Sequence, residues 1–172
     1  MLQKYIFICM MFVLVGCTGT SLIQTQKSFP EVYVDVNATH EKKRNLKVTL
    51  FRLHNYTDTP NAGLRASNIL EGLLLAKGFK VRSHIHETIP SLKQARSIAK
   101  EEGSKYFMYG GISEWRYKTG IDGEPAVSIQ CSLYKVKKGK LVWSATGSDS
   151  SWGMGSIGTT AQDLLAEMMS ND

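Results

Sequence analysis

Cysteine is scarce and poorly placed for cross-linking, with three in 172 residues. Cys9 lies in an apolar leader and Cys17 in a lipidation motif, so Cys131 has no intramolecular partner and a disulfide framework is excluded. Long apolar runs are missing too. The stretch from Tyr5 to Val15 is too short, at ~1.5 Å per residue, to cross a ~30 Å hydrocarbon core. With only four prolines, no internal repeat and no low-complexity tract, extended polyproline and solenoid architectures drop out. No Ser, His and Asp arrangement stands out, and His40 and His54 read as isolated surface residues.

What is present begins with an address. Lys4 supplies a positive start, the apolar stretch follows, and Leu14-Val15-Gly16-Cys17 matches the bacterial lipobox, in which a small residue precedes a cysteine that is acylated and exposed by cleavage. Residues 1–16 are therefore expected to be a signal peptide, and Cys17 to carry covalent diacylglycerol and acyl groups. Several acyl chains, at ~0.8 kcal/mol per buried methylene, hold a protein on a membrane essentially for good. Inner-membrane lipoproteins commonly carry Asp after this cysteine, whereas Thr18 follows it here, so the resemblance is to outer-membrane lipoproteins facing the periplasm. Loss of residues 1–16 leaves 20 basic against 15 acidic residues, a net +5 that suits membrane or lipopolysaccharide phosphates without implying nucleic acid.

Residues 17–45 read as a polar tether, in which 31–36 alternates weakly enough for a short edge strand. Residues 46–172 read as one α/β domain, a mixed sheet flanked by helices in the order β-α-β-α-β-β-β-α. Leu46–Leu53 alternates on two apolar faces and predicts a buried strand. Thr59 and Pro60 then suit a helix start, Leu64, Leu70, Leu73 and Leu74 an apolar stripe, and Gly78 its end. Phe79–Arg82 resumes a period of two. A second helix is expected over Ser91–Glu102, with Leu92, Ala95, Ile98 and Ala99 inward. Two long strands, Tyr106–Tyr117 and Ala126–Val136, flank an Asp122-Gly123 turn. Leu141–Ala145 and a closing helix over Thr159–Met169 complete the order.

Several motifs invite sharper readings. Gly153-Met-Gly155-Ser-Ile-Gly158 fits a dinucleotide fingerprint, but too few residues follow for the returning strand and its acid, so no cofactor is expected. His84 and His86, two apart, could share a strand face, but with only Glu87 nearby they make an incomplete metal site, and a solvated strand end is expected. Lys135, Lys137, Lys138 and Lys140 crowd one hairpin, best read as a charged edge that resists aggregation rather than as a headgroup contact. Cys131 reads as a small core residue. Trp152, in a Ser/Gly loop, either folds back onto the core or lies in a membrane interface.

Three stretches carry a family resemblance: Asn55-Tyr-Thr-Asp-Thr-Pro-Asn-Ala-Gly63, Glu114-Trp-Arg-Tyr-Lys-Thr-Gly-Ile-Asp-Gly-Glu-Pro-Ala-Val127, and Leu141-Val-Trp-Ser-Ala-Thr-Gly147 with Trp152 and the closing helix. They resemble the PelC family, outer-membrane lipoproteins of Pel exopolysaccharide secretion. That resemblance implies a non-enzymatic dodecameric ring that guides a cationic polysaccharide to a PelB-like export protein. It places Asp122, with Glu124 beside it, in an acidic funnel, and Trp152 in an aromatic belt that dips into lipid. A monomeric lipoprotein that activates a periplasmic enzyme is the alternative the same fold supports. An enzyme would need an acid, base and nucleophile cluster that the sequence does not offer.

Overall fold

The computed structural model describes residues 22–27, 29–30, 46–88, 90–119, 123–150 and 155–170. Its organising element is an interior strand, β2 (Lys47–Phe51), uncharged after Lys47 and buried from Val48 onward. A strand covered on both sides belongs inside a parallel arrangement, and β2 indeed pairs in parallel with β4 (Lys80–His84) and with β5 (Tyr106–Tyr117). From β5 the sheet continues as an antiparallel meander through β6 (Pro125–Lys135) and β7 (Lys140–Ser150). The spatial order is β1-β7-β6-β5-β2-β4, with the two-residue β3 (His54–Asn55) beside β5. This is the expected α/β fold, with the parallel half first and the meander second.

Helices α1 (Ala62–Ala76) and α3 (Ile157–Met168) cover one face, where Leu70, Leu74, Leu164 and Leu165 meet Val48, Leu50, Met108, Ile129 and Leu133. Helix α2 (Leu92–Glu101) covers part of the other, packing Ala95 and Ala99 on Phe51, Phe107 and Val136. Capping is local. Ser91 and Gln94 form a reciprocal capping box at α2, Ser156 caps α3, and Gly78, at φ 83°, ends α1 with the Phe79 N–H on the Leu74 carbonyl at 3.0 Å. Cys131 is fully buried, and burial pushes its thiol up to about 12, consistent with a core residue. No helix among the described residues is long and apolar enough to cross a membrane.

Several expectations change. Thr59 does not cap α1: its hydroxyl donates to the Trp115 carbonyl, and the helix starts later, from Asn61 in the left-handed region. Gly63 fits there because a Cβ would overlap the Leu53 carbonyl oxygen. Leu92 faces solvent instead of the sheet, and β7 runs well beyond Ala145. The largest change concerns the tether. Within it, β1 (Leu22–Gln26) pairs antiparallel with β7, and Phe29 is buried edge-on against Trp143 (4.8 Å between centroids) and Phe79 (5.7 Å). An edge strand needs only alternate residues inward, so its polar composition hid it: Ile23 is half-buried while Leu22 is 70% exposed. Residues 31–36 lie outside the described residues.

Candidate functional site

Strand directions gather most of the expected functional positions at one end of the sheet. The C-terminal ends of β2, β3 and β5, the start of β6, the end of β7 and the start of β1 all lie there, because Leu22 pairs with Ser148 and Ser150 with Ala126. The loop after β3 is pinned to β5. The Asn55 carboxamide oxygen accepts from the Thr57 N–H (3.0 Å) and hydroxyl (2.8 Å), and its NH₂ donates to the Thr59 carbonyl (2.8 Å). The Tyr56 N–H donates to the Ile112 carbonyl (2.9 Å), and Gly111 leaves room for the Tyr56 ring, which is 72% exposed. Between this loop and β5 lies a cavity of about 440 Å³, with Tyr56, Asp58, Thr59, Glu114, Arg116 and Ser128 among its walls.

Of the expected site residues, Cys17, Asp122 and Trp152 lie outside the described residues. Glu124 is described, and it is not a free acid. Its side chain is 14% exposed and pairs with the Lys118 Nζ at 3.4 Å, while the Lys118 N–H donates to the Glu124 carbonyl at 2.6 Å. Arg116 pairs with Glu114 at 3.0 Å, so the two cations of this hairpin are spent on its own carboxylates. Tyr117 ties the same end to α3, its hydroxyl accepting from the Ile157 N–H at 3.3 Å.

The histidines also differ from expectation. Strand β4 ends at His84, so His86 is not its neighbour on a strand face, and His86 is exposed. His84 is no solvated strand end either. Its Nδ1 meets Glu87 and its Nε2 meets Glu102, both at 2.8 Å, while Phe51 stacks on the ring. Thr49 donates its hydroxyl proton to Glu102 and lies 2.8 Å from the Ser104 hydroxyl. Burial alone would lower the His84 pKa, but hydrogen bonds to Glu87 and Glu102 and their charges raise it above its ordinary value. Burial would likewise raise Glu102, yet hydrogen bonds from His84 and Thr49, with the charges of His84 and Arg82, lower it. Two carboxylates on one imidazole require both ring nitrogens to carry protons, so His84 is an ion-pair centre with no nitrogen free for a metal. Among the described residues no three His, Cys, Asp or Glu groups converge as metal ligands. His54, expected at the surface, is half-buried beneath Tyr56 and lies 2.7 Å from the Tyr109 hydroxyl, which donates to the Pro90 carbonyl at 2.9 Å. The single hydroxyl proton is thereby used, so His54 Nε2 is the donor.

At the opposite end stand the lysines. Lys47, Lys80 and Lys140 open their strands there, Lys135 closes β6, and Lys105, Lys137 and Lys138 flank them. These seven lysines therefore stand away from the end that leads to Asp122, where Arg116 and Lys118 are each paired with a carboxylate.

No family profile and no curated protein sequence matches the chain. Among solved structures, the PelC dodecamer from Paraburkholderia phytofirmans is 32% identical, with a TM-score of 0.70 over 87% of this chain and 94% of that one. A single-residue variant of that dodecamer matches equally, at 32% identity and TM-score 0.70. The chain belongs to the PelC family. Lipoprotein GNA1162 from Neisseria meningitidis shares the fold alone, at 16% identity and TM-score 0.56 over 70% of this chain and 93% of that one. Parts of two of the stretches that carry the PelC resemblance converge in space: Tyr56–Thr59 and Glu114–Arg116 line the same loop-to-β5 cavity, and the Thr59 hydroxyl donates to the Trp115 carbonyl. The third is mostly core, since Trp143 and Ala145 are buried beneath the helices. Sequence reasoning missed the Thr59–Trp115 tie and the His54–Tyr109–Pro90 chain, whose partners lie 55 to 56 residues apart or share no local pattern.

Proposed function

We propose that this protein is a lipid-anchored outer-membrane lipoprotein that assembles, as its dodecameric PelC relatives do, into a ring through which a cationic exopolysaccharide passes toward an export channel. The observation that carries this reading is identity of 32% to a dodecamer across 87% of the chain. Support also comes from geometry. The lipobox cysteine precedes Leu22 by five residues, which span at most ~18 Å, so the end of the sheet bearing the 118–124 hairpin and the 150–155 connection stays close to the bilayer. This supports a reading in which Asp122 and Trp152 act beside the membrane.

A ring gives a weak group collective strength. One surface carboxylate does little at a screening length of ~8 Å, but a dozen around an opening build a potential of several kT for a passing cation. Because Glu124 is paired with Lys118, the collar depends on Asp122 rather than on both acids. The far-end lysines are distant from that collar, and the hairpin's own cations, Arg116 and Lys118, are paired with Glu114 and Glu124. The reading assigns the protein no catalytic step, no cofactor beyond the covalent lipid, and a PelB-like channel as its partner.

The test is direct. Imaging and mass measurement of the purified mature protein should show a closed multimer with a central opening, and Asp122→Lys should reduce polymer release while leaving the particle intact. A monomer at every concentration would instead return the enzyme-activator reading.

A further inference from the structure

Independently of export, the structure assigns a binding site to the lysine-rich end of the domain. A cavity of about 730 Å³ opens between α2, the 103–105 link and the end of β6, lined by Lys93, Arg96, Lys100, Lys105, Lys135 and Lys137. We propose that it binds a soluble, phosphate-bearing polyanion of small-molecule size. No carboxylate lines it, and among the described residues none of the six cations is in an ion pair. The nearest acids on α2 are Glu101, which accepts from the cavity-lining Ser97 at the rim (3.1 Å), and Glu102, which serves Thr49 and His84, so six cations face one rim carboxylate.

The site is also built rather than merely charged. Arg96 donates from Nε to the Val136 carbonyl (2.8 Å) and from Nη2 to the Lys137 carbonyl (3.1 Å), and Gly139, at φ 61°, leaves space for its guanidinium. The floor is fastened by the Val136 N–H on the Lys105 carbonyl (3.0 Å) and the Ser104 N–H on the Ala99 carbonyl (2.9 Å). Converging cations held this way repel one another, so the ligand that relieves them most is one with high charge density. A phosphate cluster meets several lysine point charges at once, whereas an extended acidic peptide can place only one or two carboxylates inside a cavity of this size. Leu22 is level, through Ser148, with Ser128 of β6, and the cavity begins at Lys135, so at ~3.3 Å per residue the cavity lies roughly 23 Å along the sheet from the point where the chain leads back to Cys17. On the anchored reading proposed above, on which this step rests, the bilayer lies toward the other end, which favours a soluble ligand over a lipid headgroup.

The experiment uses the full-length protein in zwitterionic detergent, titrated calorimetrically with tripolyphosphate, with a ten-residue glutamate peptide and with short-chain phosphatidylglycerol. Tripolyphosphate should bind saturably at one site per chain. Lys100→Glu with Lys135→Glu should weaken it by at least about tenfold, while Arg65→Glu with Arg116→Glu, equal in charge but at the other end, changes it less than about twofold. The neutral pair Lys100→Gln with Lys135→Gln, milder for folding, should fall between. Equal losses in the two charge-reversed variants would reduce the binding to net charge and overturn the site. Tighter binding of the peptide would overturn the phosphate assignment, and tighter binding of phosphatidylglycerol would overturn the soluble source.

Discussion

Because Leu22–Gln26 pairs with β7 and Phe29 enters the core, Phe29→Ala should be among the more damaging single substitutions in the chain. Phe29 is 2% exposed, contacts Phe79 and Trp143 edge-on, and has the Lys77 Nζ 5.9 Å above its ring. Truncating a buried phenylalanine costs about 3–5 kcal/mol, and each aromatic pair adds about 0.5–1.5 kcal/mol beyond area burial. Because Phe29 follows an edge strand whose chain can partly relax, the lower figure is appropriate, about 3 kcal/mol. With a urea slope of about 1.5 kcal/mol per molar, the unfolding midpoint should fall by about 2 M. The melting temperature should drop by about 6–12 °C. Trp143, beside Phe29, makes tryptophan fluorescence a suitable probe. Leu22→Ser, at a position 70% exposed, should change stability by less than about 0.5 kcal/mol. A Phe29→Ala loss below about 1 kcal/mol would mean that this segment passes over the domain without packing into it, and the reasoning would be refuted.

Three further outcomes are expected. Gly72→Ala, with open space around a Cβ inside α1, should stabilise the protein by about 0.5–1 kcal/mol, whereas Gly63→Ala, blocked by the Leu53 carbonyl, should destabilise it by more than about 2 kcal/mol; denaturant melts of the pair would expose an error in the α1–β2 approach if the signs agreed. The raised pKa of His84 means that its contribution is present below its ordinary value of 6.5 and is lost as pH rises through the folded value. Stability should therefore fall more steeply as pH rises above 6.5 in the native protein than in His84→Gln, and parallel curves would count against the two ion pairs. For Glu102 the sign is opposite, its contribution being present above its ordinary 4.5 and lost as pH falls through the lowered value. Finally, Cys17→Ser should move the protein from the membrane to the soluble fraction, and unchanged fractionation would remove the lipid anchor from the proposal.

Sequence determined what short-range physics controls. Ser91 with Gln94, Gly78 and Gly103 mark helix ends because a cap acts within a few residues of itself, and the alternation of 46–53 and 106–136 marks strands because side-chain period follows backbone pleat. The lipobox and the family stretches were legible as motifs, since they are contiguous.

Tertiary structure decided what depends on a distant partner. Thr59 carries the chemistry of a cap, and only the proximity of the Trp115 carbonyl diverts it. Nothing around His84 in sequence reveals Glu102, eighteen residues on, as its second carboxylate. Polarity made Leu22–Gln26 look like a tether, because an edge strand is specified by the backbone groups of β7 that it pairs with, not by its own hydrophobicity. The gathering of Lys47, Lys80, Lys105, Lys135 and Lys140 at one end likewise arises from strand direction: residues far apart in the chain meet at one end when successive strands reverse, while Lys118 and Arg116 at the other end are paired with Glu124 and Glu114.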